Sequence, residues 1–349
     1  MIASGSIVWL LYERILPFAG IQGFLVLWFG TFLAMYGLAV RELEGTLIAK
    51  DRVAAAAIGG VSLAIIVPLL AILGYTAWRG AVYLRAHFFT ETLEFTGPED
   101  PATSGGGLQA IVGTLEQVGI AAMISVPLGV LTAVFLNEVG GRLRRPVRVF
   151  VDAMSGVPSI VAGLFIYIIL VVRADWGFSG FAGALALTIL MLPTVTRTSE
   201  VVLRLVPGGL REASLALGAP EWRTAWNVVL PTARLGIITA VILGMARVIG
   251  ETAPLIVTTL GNTSLNANPF DGPQDALPLR SYLLFIQGVD NQVNRAWLYA
   301  FVLIMLVLIL FVAARVLGAR RVGGRGERRR TREPSLDPAD GVVPVSPAS

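Results

Sequence analysis

Residues 181–234 read FAGALALTILMLPTVTRTSEVVLRLVPGGLREASLALGAPEWRTAWNVVLPTAR. The first part, Phe181–Leu203, is an apolar run long enough to cross a bilayer core of about 30 Å at about 1.5 Å of rise per helical residue. The stretch from Arg204 to Arg234 is of another kind. Leu210–Leu217 carries good helix formers and stops at Gly218, the residue type that best tolerates a left-handed helix end. Pro220 stands where a first helical turn accepts a missing N–H. Trp222, Trp226 and Val229 follow at i, i+4 and i+7, which predicts a second short helix with one apolar face, ended by Pro231. Two short helices thus meet at a Gly-bearing elbow, either lying at headgroup depth or offering a docking surface.

The rest of the chain places that elbow in a membrane protein. Of 349 residues, 55% are hydrophobic and 14% charged, and the mean hydropathy is +0.74. A soluble domain carries roughly 25% charged residues, so this chain lacks the polar surface to cover itself in water. It contains no Cys and a single His, His87, which removes disulfides, thiolate chemistry, imidazole clusters for zinc and a Ser/His/Asp site. No metal site is expected, and His87 reads as a solvated loop side chain. The net charge of +4 and pI near 9.7 would suit nucleic acid, but the arginines sit between apolar runs, as in a polytopic membrane protein; no nucleic-acid partner is expected.

Seven stretches are long enough to span: Ile15–Val40, Val53–Trp78, Leu108–Leu136, Val149–Val172, Phe181–Leu203, Leu235–Thr259 and Ala296–Val316. The first lacks a basic leader and a small-residue cleavage site, so it reads as a retained helix. Arg142, Arg144, Arg145 and Arg148 cluster in one loop, and Arg320, Arg321, Arg325, Arg328, Arg329, Arg330 and Arg332 follow the last span. Both clusters should be cytoplasmic. They lie four spans apart, so the count is consistent, with the N-terminus outside and the C-terminus inside a cell membrane. Residues 1–52 then form an extra N-terminal helix and linker, 53–318 the main domain, and 319–349 a basic and then disordered tail. Gly156 and Gly163 read as close-packing positions, and Pro127, Pro158 and Pro193 as kinks or interruptions.

Glu212-Ala213-Ser214, then Gly218, then Leu230-Pro231 closely resembles the EAA loop of ABC-importer permeases, with Ser214 in place of the second Ala. Gly156–Gly163 (GVPSIVAG), Arg247–Leu255 (RVIGETAPL), Arg197–Glu200 (RTSE) and Ala276–Leu279 (ALPL) are similar to the permeases of the phosphate importer, and the ETAP form to the PstA type rather than the PstC type. The likeness runs from about Val53 to Val316; the first 52 residues have no counterpart in it. It implies an all-α type I importer domain of about seven spans, including one extra. It implies an elbow over about 204–234 in which Glu212, Ala213, Gly218 and Pro231 couple to an ATPase. A PstC-like permease, a homodimeric ATPase and an extracytoplasmic phosphate-binding protein would be the partners, with membrane lipid around them. The chain has no G-x-x-x-x-G-K-[ST] loop, so ATP and Mg belong to a separate subunit and this chain is not itself an enzyme.

Two charges then stand out inside the sixth span. Arg247 at mid-span costs about 2.5–3.5 kcal/mol on insertion scales, and Glu251, one turn on, is expected to pair with it on the same helix face. Guanidinium offers forked donors that suit phosphate oxygens. Arg197, near the end of the fifth span with Glu200 close behind, either joins that pathway or snorkels to the interface. The competing readings are a permease for molybdate, sulfate or another imported solute, a secondary carrier working without ATP, which would show paired broken repeats, and an intramembrane enzyme, for which the residues supply little chemistry.

Overall fold

The computed structural model describes residues 2–11 and 21–330. Residues 15–20 of the expected first span, and Arg332 with the Pro- and Asp-rich segment Glu333–Ser349, lie outside the described residues. Among the described residues the regular structure is helical, apart from an isolated bridge between Leu260 and Gln274. The chain forms two compact units, Met1–Ala77 and Trp78–Ser349.

The first unit holds α1 (Ile2–Leu10), α2 (Ile21–Glu44) and most of α3 (Thr46–Tyr83). Residues 41–52 are helical on both sides of one residue, Gly45, whose φ of +92° suits a residue without Cβ. Arg52 pairs with Glu44 at 2.7 Å across this turn. None of the most apolar stretch of α3 is buried by protein.

The second unit is built around α7 (Gly180–Arg204). Two-thirds of its apolar window is buried, because small residues line it: Gly183, Ala182, Ala184 and Ala186 let neighbours approach. Against it pack α4 (Leu108–Val134, continued by a π turn Phe135–Val139), α5 (Arg144–Ser155), α6 (Ser159–Ile166, with a π turn to Arg173) and α10 (Leu230–Val248). Val118, Leu187, Met191, Val195, Val248 and Leu255 form the shared core. α8 (Gly208–Ala216) and α9 (Glu221–Thr224) make the elbow between α7 and α10. α11 (Ala253–Thr258), α12 (Leu277–Ile286) and α13 (Asp290–Arg330) complete the unit. Among the described residues six helices are long and apolar enough to cross a membrane, or seven if the bent pair of α5 with α6 and its π turn is one span.

Two expected spans are not continuous. Val149–Val172 breaks at Gly156-Val157-Pro158 with a bend of 104°, since Pro158 has no N–H to give and holds an extended ψ of 140°. Leu235–Thr259 ends at Val248 and resumes at Ala253; Pro254 cannot donate to the carbonyl four residues back, so the helix restarts there. Pro127 and Pro193 are tolerated inside α4 and α7. Pro231 does not end a helix. It occupies the first turn of α10, which a π turn, Ala225–Val229, joins to α9. The last helix begins at Asp290 rather than Ala296, and its backbone stays helical to Arg330.

A buried polar network pins the 259–277 loop to α4. Gln117 donates to the Asp275 carbonyl at 3.1 Å and to Gln274 Oε1 at 3.0 Å, and the Leu277 amide donates to Thr114 Oγ1 at 2.8 Å. Arg280 Nε bonds Asp275 Oδ2 at 2.7 Å. Burial pushes the Asp275 carboxyl up to about 6, against the opposing pull of Arg280. His87, expected to be solvated, is half-buried and bonds the Thr103 carbonyl through Nε2 at 2.8 Å.

Candidate functional site

The charge cluster between α5 and α7 arises from matched spacings. Arg148 and Asp152 are four apart on α5, and Arg197 and Glu200 three apart on α7, so each pair lies on one helix face, with the arginine first in both. Arg148 accordingly pairs with Glu200, and Asp152 with Arg197. Glu200, 2% exposed, also accepts from Arg197 at 3.1 Å and from Arg204 at 2.5 Å. A buried carboxylate is tolerable only with such partners.

Arg197 is therefore held by two carboxylates and does not extend freely to an interface. It lines a cavity of about 240 Å³ with Ser155, Val157, Thr194 and Thr198, and the same cavity is lined by Arg247. Two guanidinium groups, one on α7 and one at the end of α10, thus meet at a single cavity beside hydroxyl side chains. That arrangement suits a small oxyanion, for which fork-shaped donors and hydroxyls are matched ligands.

The expected Arg247–Glu251 pair is not formed among the described residues. Its geometry required one continuous helix, and α10 ends at Val248. Glu251 is half-buried beyond the break, where its amide donates to the Val248 carbonyl at 3.1 Å. Arg247 is exposed and makes no ion pair or hydrogen bond among the described residues. Reading alone did not find Arg148, Asp152 and Arg204 as members of the cluster. In the sequence Arg148 reads as a topology charge, although its i, i+4 offset from Asp152 is a usable signal.

The elbow forms as its residues dictate. α8 stops at Ala216, and Gly218 turns the chain with φ +80°. Ser214 Oγ and Thr224 Oγ1 hydrogen-bond at 2.8 Å, tying α8 to α9. Glu212, Ala213 and Gly218 are exposed, as are Leu217 and Trp222. The apolar stripe divides differently from expectation: Val229 is buried with Ala225, whereas Trp222 and Trp226 point outward. A bidentate ion pair from Arg211 to Glu138 holds the elbow at the same end of the bundle as the arginine-rich Glu138–Arg148 turn.

Two of the segments that carried the family resemblance, Gly156–Gly163 and Arg247–Leu255, also touch. A Cβ on Gly163 would come within 2.6 Å of Pro254 Cα, so α6 and α11 approach backbone to backbone. Gly156, by contrast, sits at the bend with only the Ala153 carbonyl near a would-be Cβ, at 3.6 Å, and is not a packing glycine.

A bundle with a split span, a charged cavity and an exposed elbow defines a membrane transport domain, and comparison with known proteins agrees. Residues 125–322 match the family described as Binding-protein-dependent transport system inner membrane component. The chain is 42% identical over 254 residues to the Phosphate transport system permease protein PstA 1 of Mycobacterium tuberculosis (strain CDC 1551 / Oshkosh), covering 72% of this chain and 83% of that one. It is 44% identical over 264 residues to the Phosphate transport system permease protein PstA of Mycobacterium leprae, covering 74% and 86%. With the protein of the same name from Yersinia pestis it shares 38% over 256 residues, covering 72% and 84%. Among solved structures, the inward-facing MetNI methionine ABC transporter superposes with a TM-score of 0.47 at 21% identity, covering 63% of this chain and 94% of that one. The chain belongs to the inner-membrane components of binding-protein-dependent transport systems and, within them, to the PstA-type permeases. It is a multi-pass membrane protein.

Proposed function

We propose that this chain is the phosphate-translocating permease subunit of an ATP-driven importer, with Arg197 and Arg247 contacting the anion in transit. The observation that carries this reading is that both guanidinium groups line one cavity. Arg197 pairs with Asp152 and shares Glu200 with Arg148 and Arg204, whereas Arg247 has no ion-pair partner among the described residues. A pathway needs attraction weak enough to release its ion, and one free arginine beside a compensated one gives a shallower well than two free ones. Glu251, beyond the helix break, is not among the residues that line this cavity.

The main domain spans 53–318, with the N-terminus outside and the arginine-rich turn, elbow and tail in the cytoplasm. The exposed Glu212–Gly218 surface, with Leu217 and Trp222, docks in a groove of a homodimeric ATPase that holds ATP and Mg. A PstC-like permease completes the pathway, an extracytoplasmic phosphate-binding protein delivers the ion, and the unburied face of α3 meets lipid. Uptake of labelled phosphate by the assembled complex tests this: Arg247→Gln should abolish uptake while the complex still assembles. Undiminished uptake by that variant, or uptake that persists without ATP under an ion gradient, would overturn it.

A further inference from the structure

α8 has no buried residue. A helix without an apolar face in the core has no packing to fix its position, so polar ties must do so. One is the Ser214–Thr224 hydroxyl bond within the elbow. Among the described residues the others come from one side chain. Arg211 donates from Nε to Glu138 Oε2 at 3.0 Å and from Nη2 to Glu138 Oε1 at 2.8 Å. It also donates to the Leu203 carbonyl at 2.8 Å and the Val206 carbonyl at 2.7 Å. Glu138 lies on the π turn that ends α4, Leu203 in the last turn of α7, whose final carbonyls lack i+4 donors, and Val206 in the loop that follows. Leu203 and Val206 are themselves buried with Ala133, Val134, Ala225 and Val229 in a small core that joins α4, α7 and α10. One guanidinium therefore bridges a helix without buried residues to the bases of α4 and α7. Leu203 is also one turn from Glu200, whose network reaches the Arg197 cavity.

We propose that Arg211 is a positioning residue that makes α8 and the ends of α4 and α7 move as one body, so that displacement of the elbow is passed to the pathway instead of being absorbed in the loop at residues 205–207. The proposal rests on the reading of the chain as an ATP-driven permease. Lysine cannot replace the fork: a single ammonium cannot reach both Glu138 oxygens and two carbonyls in fixed geometry.

The test is phosphate taken up per ATP hydrolysed, measured on the complete complex in proteoliposomes. Arg211→Gln is expected to lower that ratio about tenfold with ATP hydrolysis within about twofold of wild type, and Arg211→Lys to lower it about threefold, consistent with graded loss of a charge-assisted contact. Glu138→Gln should resemble Arg211→Gln, and the double variant should be no worse than either single one, because both remove the same contact. A merely structural role would reduce assembled complex and both rates in proportion, leaving the ratio unchanged, and would overturn the proposal, as would independent, multiplying effects of the two substitutions. If Arg211→Gln does not assemble, Arg211→Lys with a wild-type ratio overturns it and a lowered ratio supports it. Wild-type complex that moves phosphate without hydrolysing ATP would instead sink the permease reading itself.

Discussion

Gly163 of α6 lies so close to Pro254 of α11 that a Cβ on the glycine would stand 2.6 Å from the proline Cα and 3.0 Å from its carbonyl oxygen. The contact joins the helix that follows one break to the helix that follows another. Both breaks are made by proline, and both restarted helices need a neighbour to replace the continuity they lost. Because the obstructing atoms are backbone, the site cannot yield by a rotamer change.

Gly163→Val should therefore destabilise the permease by about 1–3 kcal/mol or more through overpacking. Thermal melting of the detergent-solubilised complex reads this. Gly156→Ala serves as the control at a glycine with no crowded neighbour, and equal melting of the two variants would remove the distinction.

Glu200→Ala leaves Arg148, Arg197 and Arg204 without their common acceptor. Removing one partner of a buried ion pair costs about 3–5 kcal/mol, and the partial exposure of the three arginines puts this case at the low end, about 3 kcal/mol. Melting should fall accordingly, and cysteine crosslinks introduced between α5 and α7, clean in a chain without native Cys, should broaden in distance. Wild-type melting would mean that the cluster does not hold α5 to α7.

Trp222 is 59% exposed on the elbow. Its replacement by Ala should leave the melting of the permease within about 0.5 kcal/mol of wild type. If the elbow docks an ATPase, affinity for that subunit should drop at least about tenfold, as for an aromatic anchor at an interface. Pull-down or titration with the purified ATPase decides between an anchor and a headgroup-level side chain.

The Asp275 carboxyl, raised from 3.8 to about 6 by burial, makes stability depend on pH with a defined sign. Between those values the folded state holds a proton that the unfolded state has released, so stability falls as pH rises through the window and is flat above it. Arg280 and the side chains of Gln109 and Tyr299 surround this group, and Arg280 is the charge that faces it. The melting temperature of wild type relative to Asp275→Asn should decline from pH 4 to pH 6 and hold steady beyond pH 7. A constant difference across that range would contradict the assignment.

The sequence alone determined the class of the protein. Composition and the length of its apolar runs required a polytopic helical membrane protein, because a continuous apolar run of about 20 residues satisfies its backbone polar groups in lipid as a helix, whereas barrel strands are about 9–11 residues long and alternate in polarity. The elbow was legible as well, since the helix formers before Gly218 and the positive φ at that glycine are local properties of the chain. Helix continuity was read less well: Pro158 and Pro254 were visible, but a proline in a span can kink, be tolerated or split it, and Pro127 and Pro193 took the second course. Which outcome occurs depends on what packs against the freed backbone. The tertiary structure alone decided the charge partners. Periodicity along one helix proposed Arg247 with Glu251, but an ion pair forms where side chains converge in space. Arg197 with Asp152, Arg148 with Glu200 and Arg211 with Glu138 each join residues that only the packing of α4, α5, α7 and α8 brings together.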